Sequence, residues 1–200
     1  MSHNIVINSL YFIFLLFIIA SCSTLVEDEN MNKNNVIYKI RSIDSNFSNL
    51  ETLLFVDIDT QSLLHIKKGT VLKQYSISSS YYGTGSKENS LKTPLGRHEI
   101  YKKIGNGLPN NAILKGRVWN GAIADIIVEP IDTDFDHVTS RILWLDGLEV
   151  GKNKGKGIDS RNRYIYIHGT AEEGLIGKPA SDGCIRMYNG DVIELFDLVD

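Results

Sequence analysis

Cys184 and His168 are the residues of this chain whose types and placement best suit covalent chemistry. The 200 residues contain two cysteines, Cys22 and Cys184, and five histidines. Cys184 directly follows a glycine in the stretch Ser181-Asp182-Gly183-Cys184-Ile185-Arg186-Met187. His168 ends the alternating segment Tyr164-Ile165-Tyr166-Ile167-His168 and is followed by Gly169 and Thr170. The two are 184 − 168 = 16 positions apart, enough for the intervening loop to fold back and bring them together. A free thiol, with a pKa of about 8.5, is only a few per cent thiolate at neutral pH. A histidine within hydrogen-bond reach can take its proton as general base and return it as general acid. Gly183 allows a tight backbone turn, so that main-chain N–H groups can face a developing oxyanion. The chemistry implied is acyl transfer through a thioester. The residues alone leave a second reading open, in which Cys184 is a buried inert hydrophobe and His168 a satisfied strand-end polar group. His65, His98 and His137 are scattered without ligand spacing, so neither a metal nor another cofactor is expected.

The compartment bears on the thiol. Residues 10–20, LYFIFLLFIIA, form an unbroken apolar run too short for a comfortable bilayer span, as in the core of a secretory signal. Ile19-Ala20-Ser21-Cys22 after it resembles a bacterial lipobox, in which the cysteine becomes acylated and N-terminal. The segment before the run lacks Lys and Arg, a departure from that pattern, and an uncleaved anchor or a misplaced start is the other reading. Both place the domain outside the inner membrane, and Ser23 favours sorting to an outer membrane. If Cys22 carries lipid, Cys184 is a single unpaired thiol in an oxidising compartment, where a free thiol is a liability unless used. The net charge of −3 gives no basic field, and nucleic acid is not expected as a partner.

Positioning these residues requires a framework, and the pattern is mostly strand. Residues 1–21 read as the signal, 22–50 as a polar tether, and 51–200 as one domain. Strands are expected over 53–59, 62–67 and 71–79, the first two as a hairpin, then over 97–102, 112–118, 124–128, 141–145 and 164–168. A Gly/Ser/Asn-rich loop separates the third strand from the fourth. Residues 189–199 read as a helix with Asn189 as its cap and Val192, Leu195, Phe196 and Val199 on one face. Many short strands and one late helix imply a mainly β sandwich or barrel. Trp119 and Trp144 are expected in the core. Tyr81 and Tyr82 are read either as cleft lining or as packing. The basic run of Lys152, Lys154, Lys156, Arg161 and Arg163 is read either as a solvated loop or as a rim for acidic peptides.

His168-Gly169-Thr170, Ser181-Asp182-Gly183-Cys184-Ile185-Arg186-Met187, LKTPLG upstream and the DVIELFDLV helix together resemble the YkuD-type L,D-transpeptidase catalytic domain, over residues 51–200. The resemblance implies a β-sandwich or barrel with a short C-terminal helix. It also implies a cell-wall acyltransferase that forms a thioester with peptidoglycan stem peptides and passes it to an amine. That acceptor is another stem peptide or an envelope protein, or water for a carboxypeptidase. The family's nucleophile falls on Cys184 and its base on His168, oriented by a backbone carbonyl such as that of Gly169. The oxyanion hole falls on the N–H groups of Gly183 and Cys184. Ser181 belongs to the nucleophile motif, and Arg186 would shape the loop or hold a substrate carboxylate. The family commonly has histidine where Asp182 stands, and a carboxylate there would disfavour the thiolate. It also commonly adds a strand after the helix, whereas this sequence stops at Asp200. A non-catalytic peptidoglycan-binding lipoprotein and a sortase-like enzyme are the other classes weighed.

Overall fold

The computed structural model describes residues 36–42, 48 and 50–199. The chain divides into two compact units, Met1–Glu51 and Thr52–Asp200. In the first, residues 36–42 are helical. The apolar run at 10–20 and Cys22 lie outside the described residues. Among the described residues no helix is long and apolar enough to cross a membrane.

The second unit is built from nine strands and a C-terminal helix. Strands β1 (Thr52–Asp57), β2 (Ser62–Lys67) and β3 (Thr70–Ser78) form an antiparallel meander. They continue through β9 (Ile185–Met187) to β8 (Tyr166–Thr170) and β7 (Val138–Gly147). Strand β7 then pairs with both β4 (His98–Ile104) and β5 (Ala112–Lys115), and β6 (Val118–Ile123) pairs with β5. Every pairing is antiparallel except β8 with β9. Helix α1 (Asn189–Leu198) buries Val192, Leu195 and Phe196 against Leu63, Tyr75, Leu143, Ile167, Ile185 and Met187. Side chains alternate across a strand. The neighbours of those core residues, Ile142, Trp144, Tyr166 and Cys184, therefore pack together on the opposite face with Leu114. That second face holds Cys184, the cysteine expected to act as nucleophile.

The structure departs from the sequence expectations at identifiable points. The single strand expected over 112–118 is two strands, because Gly116 (φ 58°) and Arg117 (φ 70°) are both left-handed and make a two-residue hairpin turn. Residues 124–128 are not a strand. Their backbone is spent elsewhere: the Ala124 N–H donates to Asn111, the Ile127 N–H to Ala171, and the Ile127 carbonyl accepts from Gly174. Trp119 lies on the exposed β5–β6 hairpin, 38% accessible, rather than in the core. Asn189 is the first helical residue and does not cap the helix, because its side chain is engaged between strands as described below.

Candidate active site

The parallel pair β8–β9 sets the site. His168 stands opposite Arg186 and Ile167 opposite Ile185. Cys184 immediately precedes β9, shares the face of Arg186 two residues on, and so lies diagonally across the pair from His168. The thiol donates to the Tyr164 carbonyl and accepts from the Tyr166 N–H, each at 3.4 Å. No hydrogen bond joins it to His168 in this resting arrangement. Burial pushes the thiol up to about 12, opposed by the Tyr166 N–H, raised further by the Asp136 carboxylate and lowered by Arg186 and Arg163. The resting sulfur is therefore a neutral thiol.

His168 is 1% accessible, and burial lowers its pKa, so the ring rests neutral. Its Nδ1 lies 2.7 Å from the Gly169 carbonyl oxygen. A carbonyl only accepts, so Nδ1 carries the proton and Nε2 keeps its lone pair. Gly169 is confined by its surroundings, since a Cβ there would meet Asn189 Oδ1 at 2.5 Å and the Thr139 carbonyl at 2.9 Å. Asn189 ties this end of the sheet together. Its Oδ1 accepts from Thr139 Oγ1 and Ser140 Oγ, and its Nδ2 donates to the Thr170 carbonyl and Glu173 Oε1.

The loop that ends at Cys184 is held from both sides. Ser181 Oγ donates to the Cys184 carbonyl at 2.6 Å and accepts from the Gly183 N–H at 3.2 Å. Of the two N–H groups expected to face an oxyanion, that of Gly183 is thus engaged inside its own loop. Gly183 itself has φ 118°, and its carbonyl accepts from Thr93 Oγ1. Thr93 belongs to the long Gly/Ser loop, which also docks on the nucleophile loop through a Ser80–Ser181 bridge. Asp182 is exposed; partial burial and the Asp136 carboxylate raise its pKa. The carboxylate acting on the thiol is that of Asp136 rather than Asp182.

Arg186 is 2% accessible and holds Glu172 at 2.9 Å and Asp136 at 2.8 Å through its two terminal nitrogens. Glu172, fully buried, also accepts from the backbone N–H and Oγ1 of Thr133. Arg186 thus staples the segment before β7 to β8 and β9. Both terminal nitrogens that a substrate carboxylate would need are already committed. Sequence reasoning missed Asp136, Glu172, Tyr164, Tyr166 and Asn189. The usable signal was an arginine between two apolar residues, Ile185-Arg186-Met187, which once buried requires carboxylate partners.

The basic run is largely neutralised within the protein. Lys152 pairs with Glu149, and Lys154 and Arg161 with Asp146, while Arg163 donates to the Gly85 and Lys92 carbonyls. Tyr81 and Tyr82 are exposed and contact each other edge to face. Among the described residues no group of three or more His, Cys, Asp or Glu is placed to hold a metal ion.

The model of the YkuD family, the L,D-transpeptidase catalytic domain, matches residues 51–200. YqjB of Bacillus subtilis (strain 168), a protein named as an L,D-transpeptidase, is 51% identical over 45 residues, 22% of this chain and 24% of that protein. YkuD of the same organism, named likewise, is 61% identical over 37 residues, 18% of this chain and 23% of its own length. The matched stretches span about a quarter of these relatives. An L,D-transpeptidase from Mycobacterium smegmatis shares 16% identity at a TM-score of 0.42, covering 75% of this chain and 55% of that one. An Enterococcus faecium L,D-transpeptidase shares 20% at 0.44, covering 76% and 47%. The family match takes in all nine strands, the helix and both Cys184 and His168, and by it the chain belongs to the YkuD family of L,D-transpeptidase catalytic domains.

Proposed function

We propose that this protein is a peptidoglycan L,D-transpeptidase in which Cys184 is the nucleophile and His168 the general base. One observation carries the reading: a neutral imidazole, its Nδ1–H held by the Gly169 carbonyl, shares a sheet face with the only described cysteine. Donor binding draws the thiol from the Tyr164 carbonyl towards His168 Nε2, which takes its proton. The thiolate adds to the carbonyl carbon of the third stem-peptide residue. The oxyanion is received by the Cys184 N–H and by that of Gly183 once Ser181 releases it. Collapse breaks the C–N bond, and the imidazolium proton goes to the departing D-alanine amine, leaving a thioester. An acceptor amine then attacks the thioester, gives its proton to His168 and expels the sulfur, which recovers that proton.

The elevated resting thiol pKa supports a nucleophile activated only when donor and base come together, which spares it from adventitious oxidation. We take the acceptor to be an amine rather than water. Asp182 is exposed; burial and the Asp136, Asp132 and Glu172 carboxylates raise its pKa, and Arg186, which pairs with Asp136 and Glu172, lowers it. The acceptor amine belongs to a second stem peptide, for a cross-link, or to a lysine of an envelope protein, for an anchor. The apolar run and Ile-Ala-Ser-Cys stretch support export to the cell envelope with a lipid on Cys22. An intact Met1 or an unmodified Cys22 in mass spectra of the native protein would remove that part.

Incubation with a muropeptide donor tests the reaction. Intact-protein mass spectrometry should find a thioester adduct that is absent in Cys184→Ala and His168→Ala, both folded. An adduct persisting in Cys184→Ala would overturn the mechanism. Peptide binding with neither an adduct nor a reaction with a carbapenem would leave a binding module.

A further inference from the structure

Arg117 stands at the tip of the β5–β6 hairpin in a left-handed conformation (φ 70°), which a non-glycine residue adopts at a cost of about 1–2 kcal/mol. Its guanidinium lies 4.8 Å from the ring centres of both Trp144 and Tyr164 and donates to Tyr166 Oη at 3.0 Å. Tyr164 is itself left-handed (φ 58°), and its carbonyl accepts from the Cys184 thiol. Tyr166 supplies the N–H that donates to the same sulfur. The residues that flank the nucleophile are therefore the ones that hold the cation, and two strained residues meet at this point. Backbone strain retained at a site is characteristic of pre-organisation for a ligand.

A guanidinium has five N–H donors. Among the described residues, the groups that act on the charge of Arg117 are the tyrosines 166 and 164 rather than a carboxylate, in contrast to Arg186 with its two. Arg117 also lines a cavity of about 470 Å³ with Lys102, Lys103, Asn106 and Trp144, so the other two charged residues there are positive too. Stacked on aromatic rings with its fork open, this arginine is arranged to receive a planar anion bidentately.

We propose that Arg117, supported by Trp144 and Tyr164, is the residue that binds a free carboxylate of the donor peptide and so positions the scissile carbonyl over Cys184. This rests on the acyl-transfer reading above. Two carboxylates share that chemistry: the terminal one of the departing D-alanine, and one on the side chain of the third residue.

Titration calorimetry on the full chain carrying Cys184→Ser, with a tetrapeptide donor, reads binding without chemistry. Adding Arg117→Gln should weaken binding about tenfold or more, and Arg117→Lys should restore part of it. A donor with an amidated C-terminus should bind the Cys184→Ser protein as weakly as the acid binds the double variant. It should also be insensitive to Arg117→Gln. If the side-chain amide behaves this way instead, the contact is to the third residue. In the enzyme with Cys184 intact, Arg117→Gln should raise KM and also lower kcat, since the scissile carbonyl is no longer held over Cys184. Equal losses for the acid, the C-terminal amide and the side-chain amide would assign Arg117 a structural role and overturn the proposal. Binding that depends on both Arg117 and the carboxylate, in a protein that forms no thioester, would instead overturn the transpeptidase reading and leave the subsite standing.

Discussion

Replacing Asp136 by Asn should make Cys184 easier to ionise. The Asp136 carboxylate raises the thiol pKa, and it is anchored on Arg186, which lowers it. Cys184 and Arg186 share a face two strand residues apart, about 7 Å along the backbone, and we take that spacing as the order of magnitude of the separation between the Asp136 carboxylate and the sulfur. A unit charge about 7 Å away in an effective dielectric of about 20 interacts by about 2 kcal/mol. The Asp136 side chain is 32% accessible, and screening reduces this to about 1.4 kcal/mol, or one pKa unit. Freeing Arg186 from one of its carboxylates acts in the same direction. Well below the titration midpoint, one unit multiplies the thiolate about tenfold. Its lower basicity returns about a factor of three in nucleophilicity, leaving alkylation about threefold faster. The assay is the pH dependence of iodoacetamide alkylation at Cys184, followed by mass spectrometry. The midpoint should fall by about one unit in Asp136→Asn and by less than about 0.3 in Asp182→Asn, since Asp182 is not the carboxylate that acts on the sulfur. The same substitution also lowers the His168 pKa, because Asp136 favours the imidazolium. Proton transfer from sulfur to ring is therefore nearly unchanged in driving force, and transpeptidation should change much less than alkylation. An unmoved or raised midpoint in Asp136→Asn, or a larger fall in Asp182→Asn, would refute this electrostatic account.

Gly169→Ala forces a methyl against Asn189 Oδ1 and the Thr139 carbonyl, and should lower stability by about 2–3 kcal/mol and donor acylation with it, read by urea midpoint and adduct yield. Glu172→Gln breaks a fully buried ion pair and should cost about 3 kcal/mol, and a urea midpoint equal to that of the unaltered protein would contradict it. His65 is 3% accessible with neither ring nitrogen partnered, and burial lowers its pKa. Its neutral form is the folded form, so its contribution is present above the unfolded value of about 6.5 and is lost as pH falls from there towards the lower folded value. His65→Leu should therefore flatten the decline in stability between about pH 6.5 and 5; an unchanged slope in denaturant melts would count against the assignment.

Much of the framework was legible because it is written in short-range periodicity. The hairpin of β1 and β2, the alternation in β3 and the single apolar face of α1 were visible residue by residue, and the strand expected over 164–168 forms two residues later as β8, buried on both faces. The tautomer of His168 was legible too, because its partner is the adjacent Gly169 carbonyl. Strand β9 was not: three residues carry no period, and Ile185-Arg186-Met187 is a strand only because β3 and β8 flank it. The hairpin turn at Gly116-Arg117 was missed although Lys115-Gly116-Arg117 interrupts the apolar residues of 112–118, since nothing local announces a left-handed arginine. The state of the nucleophile was decided entirely by tertiary structure. Residue types and order named Cys184 and His168, but burial sets the thiol, and the charges acting on it come from Arg163, Asp136 and Arg186. Desolvation and Coulomb interactions depend on distances through space, which loop closures between distant segments fix and chain separation does not record.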